Sequence, residues 1–247
     1  MTSTLSGKTA IITGASSGIG EATARLLADR GCNIVLAARR EDRLESLVSE
    51  LGDEQQTLAV PTDVTDPSAC TALVDRTLDH FGSLDVLVNN AGLGLYAPIT
   101  EADPVDWRTM FDVNVLGVLY ATQAAVRGMS RQGSGHVVFI SSLAARRVPS
   151  PEATVYAATK HAITAVVEGL RMELLGERDI RVTSVEPALV RTEFPESTHP
   201  SAEEFYAGKG YTPLEAADVA SAVLYAVEQP ERVSVDEILV RSTEQPK

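Results

Sequence analysis

Residues 9 to 31 limit the folds open to this chain more than any other stretch. Thr9-Ala10-Ile11-Ile12-Thr13 is a short apolar run of buried-strand type. Gly14-Ala15-Ser16-Ser17-Gly18-Ile19-Gly20 follows it, and a helical pattern then continues through Arg30 until Gly31 stops it. A second apolar run, Asn33-Ile34-Val35-Leu36-Ala37, returns beside the first by a right-handed crossover, which predicts a parallel sheet. The same strand, turn and helix start make an anion site, because glycine lets the backbone come close while free N–H groups and the helix dipole face a phosphate. The glycines stand at 14, 18 and 20 rather than in G-x-G-x-x-G spacing. About twenty residues on, where an acid would bond a ribose hydroxyl, stands Arg39. Its planar fork suits a 2′-phosphate, so NADP(H) is the expected ligand. Arg40 and Arg43 are read as solvated charges opening the next helix.

Thr57–Val60, Val86–Val88, Gly135–Ile140, Arg181–Val185 and Glu237–Val240 supply five more strand candidates, with helical patterns between them. Asp66-Pro67 and Asp103-Pro104 have the form of an N-cap followed by a first helical residue. The expectation is an α/β chain folded over 1–247 as one doubly wound domain, a mostly parallel seven-stranded sheet with helices on both faces. Ligands bind at the carboxyl edge of such a sheet. That edge collects Asp63 and Val64, placed to flank an adenine, then Asn89-Asn90-Ala91-Gly92, Ser141-Ser142 and Pro187. Asn114 interrupts an apolar helix face, and a buried amide there is either a structural satisfier or part of a water-linked relay. Residues 188–212 show little periodicity and contain Pro195, Pro200, Gly208 and Gly210, so a mobile substrate lid is expected there.

Composition narrows the partners. With 21 Lys+Arg against 34 Asp+Glu the net charge is −13, which argues against nucleic acid or an anionic membrane as partner. No run of about 18 apolar residues occurs, and the first residues lack a basic region followed by an apolar one, so neither a membrane span nor export is expected. Cys32 and Cys70 share no metal-binding spacing and suggest neither a disulfide framework nor zinc, which fits a reduced cytoplasm.

Tyr156 and Lys160 lie one helical turn apart on one face. A nearby ammonium favours phenolate, and a shift of roughly two to three units would let the phenol exchange a proton near neutral pH. Alone, so short a pattern more often describes an aromatic packed on its helix beside an exposed lysine. In company with Thr13–Gly20, Asn89–Gly92, Asn114 and Ser142, in that order at strand ends, it resembles the short-chain dehydrogenase/reductase family over almost the whole chain.

The resemblance implies a Rossmann fold, no metal, and hydride transfer between NADP(H) and a small alcohol/carbonyl substrate. Tyr156 would be general acid and base, Ser142 would bond the substrate oxygen, Lys160 would lower the tyrosine pKa and hold the nicotinamide ribose, and Asn114 would anchor a water relay. The implied cofactor contacts are Gly14, Ser16, Ser17, Gly18, Ile19, Gly20, Arg39, Asp63, Val64, Asn89, Ala91, Gly92, Tyr156, Lys160, Pro187, Val190 and Thr192. A homo-oligomer, tetramer or dimer, is implied as well. Ser142 precedes Tyr156 by one residue more than is usual in the family, which implies an insertion in the loop holding Arg146 and Arg147 and keeps Ser141 as a second candidate. Pro187-Ala188 replaces the family's Pro-Gly. The C-terminal segment is more similar to the branch of NADP-dependent 3-hydroxy acid (serine-type) dehydrogenases and the reductase of clavulanic aldehyde than to 3-oxoacyl carrier reductases. That branch implies small polar carbonyl substrates. Arg146 and Arg147 are then candidates for a substrate carboxylate, set against loop arginines with no ligand. The rival reading is a catalytically weak NADP-binding sensor or scaffold of the same fold, against which the retention of Asn114, Ser142, Tyr156 and Lys160 argues.

Overall fold

A computed structural model describes residues 5–52, 55–176, 179–194, 205–206 and 208–246. The chain runs β1 (Thr9–Thr13), α1 (Gly18–Ala28), β2 (Asn33–Ala38), α2 (Glu41–Leu51), β3 (Thr57–Pro61), α3 (Pro67–Phe81), β4 (Val86–Asn89) and α4 (Pro104–Phe111). A π-helical segment, Asp112–Gly117, joins α4 to α5 (Val118–Gln132). After these come β5 (Ser134–Ile140), α6 (Thr154–Leu174), β6 (Asp179–Pro187), β7 (Val190–Arg191), β8 (Leu214–Glu215), α7 (Ala216–Val227) and β9 (Glu237–Val240).

Seven strands form one sheet in the order β3-β2-β1-β4-β5-β6-β9, with every neighbouring pair parallel. Strand order reverses beside β1, so the edge between β1 and β4 opens a crevice at the carboxyl ends. All five residues of β1 are buried. Ala10 and Ile12 point to the face covered by α1, α2 and α7, while Ile11 points to the face covered by α3, α5 and α6. Both faces are therefore apolar, which is why these strands read as unbroken aliphatic runs without polar alternation.

The helix boundaries follow their capping residues. Asp66 accepts from Ser68 N at 2.8 Å with Pro67 in first position, and α3 ends at Gly82, whose φ of +79° is left-handed. Asp103 does the same for Val105 N at 2.8 Å. Helix α1 stops at Ala28, short of the expected Arg30, with Gly31 at φ +81° turning the chain into β2.

The expected lid at 188–212 is described at 188–194, 205–206 and 208–212, while Pro195 and Pro200 lie outside the described residues. Its described part is more ordered than its composition suggests. β7 pairs in parallel with β8, Val190 opposite Leu214, and the Tyr206 hydroxyl donates to Val190 O at 2.8 Å while accepting from Thr192 N at 3.0 Å. Among the described residues no helix is long and apolar enough to cross a membrane, and no cluster of His, Cys, Asp and Glu could hold a metal ion.

Candidate active site

The glycine turn is built so that backbone can reach backbone. A Cβ at Gly14, where φ is +65°, would stand 2.9 Å from Ala91 Cα, and one at Gly20 would stand 2.4 Å from Gly14 O. Thr13 Oγ1 accepts from Asn90 N and Ala91 N, both at 3.0 Å, and Asn90 Nδ2 donates to Thr13 O at 2.9 Å and Gly14 O at 3.1 Å. The turns after β1 and β4 are thereby sewn together. Ser17 opens α1 without a side-chain cap, so the helix start presents its own N–H groups to the cavity that Gly14, Ser16, Ser17, Gly18 and Ile19 line.

Two expected cofactor contacts fall elsewhere. Asn89 is buried, donates from Nδ2 to Thr122 Oγ1 at 2.8 Å, and does not line the cavity; its neighbour Asn90 does. Strand alternation explains this, because Asn89 continues the face of Leu87 toward α5. Gly20 likewise stands behind the wall, needed for the close approach to Gly14 rather than for a ligand contact.

At the far end of the cavity Arg39 lies beside Asp63 and Val64. Bonds from the Thr65 backbone N–H and then its hydroxyl hold the Asp63 carboxyl below its ordinary range, with the Arg39 charge adding to them. Arg40 is not simply solvated. Its Nη2 donates to Ser16 Oγ at 2.8 Å and Ser17 Oγ at 2.9 Å, and its Nη1 reaches Glu193 at 3.2 Å. Arg43, one turn on, bonds the same carboxylate at 2.7 Å. Glu193 is 150 residues from Arg43, so nothing local in the sequence announces the cluster.

The chemistry-bearing groups converge at the ends of β5 and α6. Ser142 accepts from Ala144 N at 3.1 Å and faces the Tyr156 phenol, on whose ionisation its hydroxyl acts. The Ser141 hydroxyl is sealed from solvent and has no hydrogen-bond partner among the described residues, whereas Ser142 faces the Tyr156 phenol. Lys160 Nζ donates to Ile140 O at 3.1 Å and stands 5.7 Å from the centre of the Tyr156 ring. Burial pushes the Tyr156 phenol up to about 12, only partly offset by the Ser142 hydroxyl, and pulls the Lys160 ammonium down to about 8. Tyr156 thus stands above its ordinary range rather than below it as expected beside Lys160: both groups are desolvated, and each is driven toward its neutral form.

Asn114 sits in the π-helical segment, fully buried and outside the cavity wall. Its Oδ1 accepts from Leu93 N at 2.8 Å, and its Nδ2 donates to Leu93 O at 2.8 Å and Thr159 Oγ1 at 3.1 Å. Oxygen and both N–H groups of the side chain find partners within the protein, so the buried amide is satisfied. Through Thr159, which donates to Tyr156 O at 2.7 Å, it braces the turn that carries the phenol.

The remaining wall is aromatic. Tyr96 and Phe194 set their rings edge-on to Tyr156 at 5.6 and 5.8 Å, and Phe205, Tyr206 and Tyr211 extend the surface. Pro187, Val190 and Thr192 line the cavity as expected, joined by Gln245 near the end of the chain, whose Oε1 accepts from Leu189 N at 3.5 Å. Arg147 lines it too, whereas Arg146 turns away to Glu186 and Glu237. The sequence reading gave Asn90 no role of its own and missed Tyr96, Phe194 and Gln245. The cavity volume is about 1240 Å³, more than one small ligand needs.

Comparisons with known proteins agree with this geometry. The family model for short chain dehydrogenase matches residues 8–203. An uncharacterized oxidoreductase of Staphylococcus aureus (strain N315) is 39% identical over 237 residues, covering 96% of this chain and 98% of the relative. The closed form of serine dehydrogenase complexed with NADP+ superposes with a TM-score of 0.90 at 32% identity, over 97% of this chain and 96% of that one. An alcohol dehydrogenase from the archaeon Thermococcus sibiricus, complexed with 5-hydroxy-NADP, does so with a TM-score of 0.86 at 33% identity, over 97% and 98%.

Proposed function

The chain belongs to the short-chain dehydrogenase family of oxidoreductases, and from that premise we propose that it interconverts a small alcohol and its ketone or aldehyde with NADP(H). The observation that carries this reading is the Ser142–Tyr156 pair opening on the same cavity as an uncapped helix start. The residues fit the cofactor. Glycines at 14 and 18 leave room where side chains would collide, the start of α1 suits a pyrophosphate, and Arg39 with Arg40 suits a 2′-phosphate. At Gly92 a Cβ would stand 3.8 Å from Lys160 Nζ, so its absence keeps the approach to the ammonium open on that side.

Bound NADPH supplies the hydride. Ser142 and Tyr156 both donate to the carbonyl oxygen, stabilising the negative charge that develops there, and Tyr156 gives up its proton as the alcohol forms. Lys160 holds α6 to the end of β5, the strand that delivers Ser142, and offers further N–H groups to a ribose. Oxidation runs the same proton path backward, with Tyr156 as base. Residues 1–247 act as one Rossmann domain with a substrate lid around 188–212. Assembly as a homotetramer or homodimer is supported by the exposed apolar residues Phe111, Leu116 and Leu119 on the segment from α4 to α5. A cytoplasmic setting is supported by the two unpaired thiols, Cys32 and Cys70.

The test is consumption of NADPH, with NADH in parallel, over small aldehydes, ketones and 3-oxo acids. Turnover with NADPH is expected to fall about 10²- to 10⁴-fold in Tyr156→Phe. A preference for NADH would overturn the NADP assignment, and full activity in the variant would overturn the role of Tyr156.

A further inference from the structure

Arg146 and Arg147 are consecutive, yet the fold sends them apart. Arg146 is bound by the buried carboxylate of Glu186 and by Glu237, which commits its charge to the ends of β6 and β9. Arg147 lines the cavity and lies exposed, and among the described residues it makes no ion pair. The other cations of the cavity are engaged or remote. Arg40 bonds Glu193, Lys160 bonds Ile140 O, Lys209 lies 4.1 Å over the Phe205 ring within the field of Glu152, and Arg39 belongs to the end beside Asp63. In a chain of net charge −13, an arginine facing the cavity with no ion pair among the described residues gives an incoming anion a charge not already committed. Around the reacting phenol, Tyr96 and Phe194 present aromatic edges, and Val148, next to Arg147, keeps 53% of its surface exposed beside the cavity. Such a wall suits hydrocarbon or aryl groups better than small polar ones.

Resting on the reductase reading above, we propose that the substrate is an oxo acid, or the corresponding hydroxy acid, with an apolar or aryl body. Its carbonyl meets Ser142 and Tyr156, its body lies against Tyr96 and Phe194, and its carboxylate pairs with Arg147. In reduction the carbonyl carbon takes the hydride and the oxygen takes the Tyr156 proton, while the carboxylate only anchors.

Kinetics with NADPH on the whole chain would compare 4-oxo-4-phenylbutanoate and 4-oxopentanoate with their methyl esters. Calorimetry would measure 4-phenylbutanoate and its primary amide binding to protein loaded with NADP+, an arm that needs no turnover. The phenyl acid is expected to show the highest kcat/KM. Arg147→Ala is expected to lower the acid-to-ester ratio of kcat/KM about ten- to a hundredfold, mainly through KM, with the acid-to-amide binding ratio falling in parallel. Arg147→Lys should restore part of the ratio, and Arg147→Glu should favour the ester. Ratios unmoved by Arg147→Ala, or equal losses for acid and ester, overturn the anion site; better turnover of 4-oxopentanoate overturns the apolar body. If no carbonyl is turned over while acid binding still depends on Arg147, the reductase reading fails and the anion site stands.

Discussion

Tyr156 and Lys160 occupy the face-to-face positions that their spacing dictates, but at this scale desolvation outweighs their mutual charge. An ammonium 5.7 Å from the ring and bonded to a carbonyl does not offset the burial of the phenol. The signs follow from linkage. Lys160 titrates near 8 when folded and near 10.5 when exposed, so between those values the unfolded chain holds more protons and stability rises with pH. Tyr156 titrates near 12 when folded and near 10 when exposed, so its contribution is complete below pH 10 and is lost as pH climbs toward 12. Urea midpoints across pH 8 to 12 should therefore show a rise that Lys160→Met removes and a later fall that Tyr156→Phe removes. A flat profile in the unsubstituted protein would mean that neither group is desolvated as described.

Elements set these residues in place through contacts between their ends. The turn after β1 tolerates no side chain at Gly20, because a Cβ there would press on Gly14 O at 2.4 Å and Asn90 Nδ2 at 2.5 Å. Gly20→Ala should cost about 1–3 kcal/mol in urea unfolding and weaken NADPH binding in fluorescence titration. Unchanged stability would show that the turn has slack. The loop carrying Ser142 is tied down by Arg146, which meets a carboxylate that is only 3% exposed. Arg146→Ala leaves Glu186 buried without its cation and should cost about 1–3 kcal/mol, part of which a second change, Glu186→Gln, recovers. No recovery in the double variant would mean that Arg146 matters through packing alone. Legibility in the sequence also divides by element. The Asp-Pro helix starts and the glycine ends of helices were readable, since each is a local bond. The π-helical turn at Asp112–Gly117 was not, because no local residue pattern marks it; it ends at Gly117, which packs against Val64 from far back in the chain, where a Cβ would come within 2.8 Å.

At the scale of the molecule, the site lies at the carboxyl edge of one parallel sheet, with Tyr156 and Lys160 brought to it by α6, and the opposite faces are closed by two helical layers. What the layers leave uncovered bears on assembly: Val105 is 63% exposed and Phe111 40%, on the segment from α4 to α5 that also exposes Leu116 and Leu119. Light scattering at micromolar concentration should give a mass of two or four chains, and a monomer there would contradict the homo-oligomer. The sequence by itself determined the sheet, the order of its strands along the chain, the glycine turn, and the shared helix face of Tyr156 and Lys160, because all of these rest on periodicity or on spacing within one element. Only the tertiary structure decided that Asn90 rather than Asn89 pins the glycine turn, that Arg40 reaches Ser16 and Glu193, that Arg146 is consumed while Arg147 faces the cavity, and that Gln245 closes it. Each of these depends on residues brought together from distant parts of the chain, and on whether burial or a partner dominates once they meet.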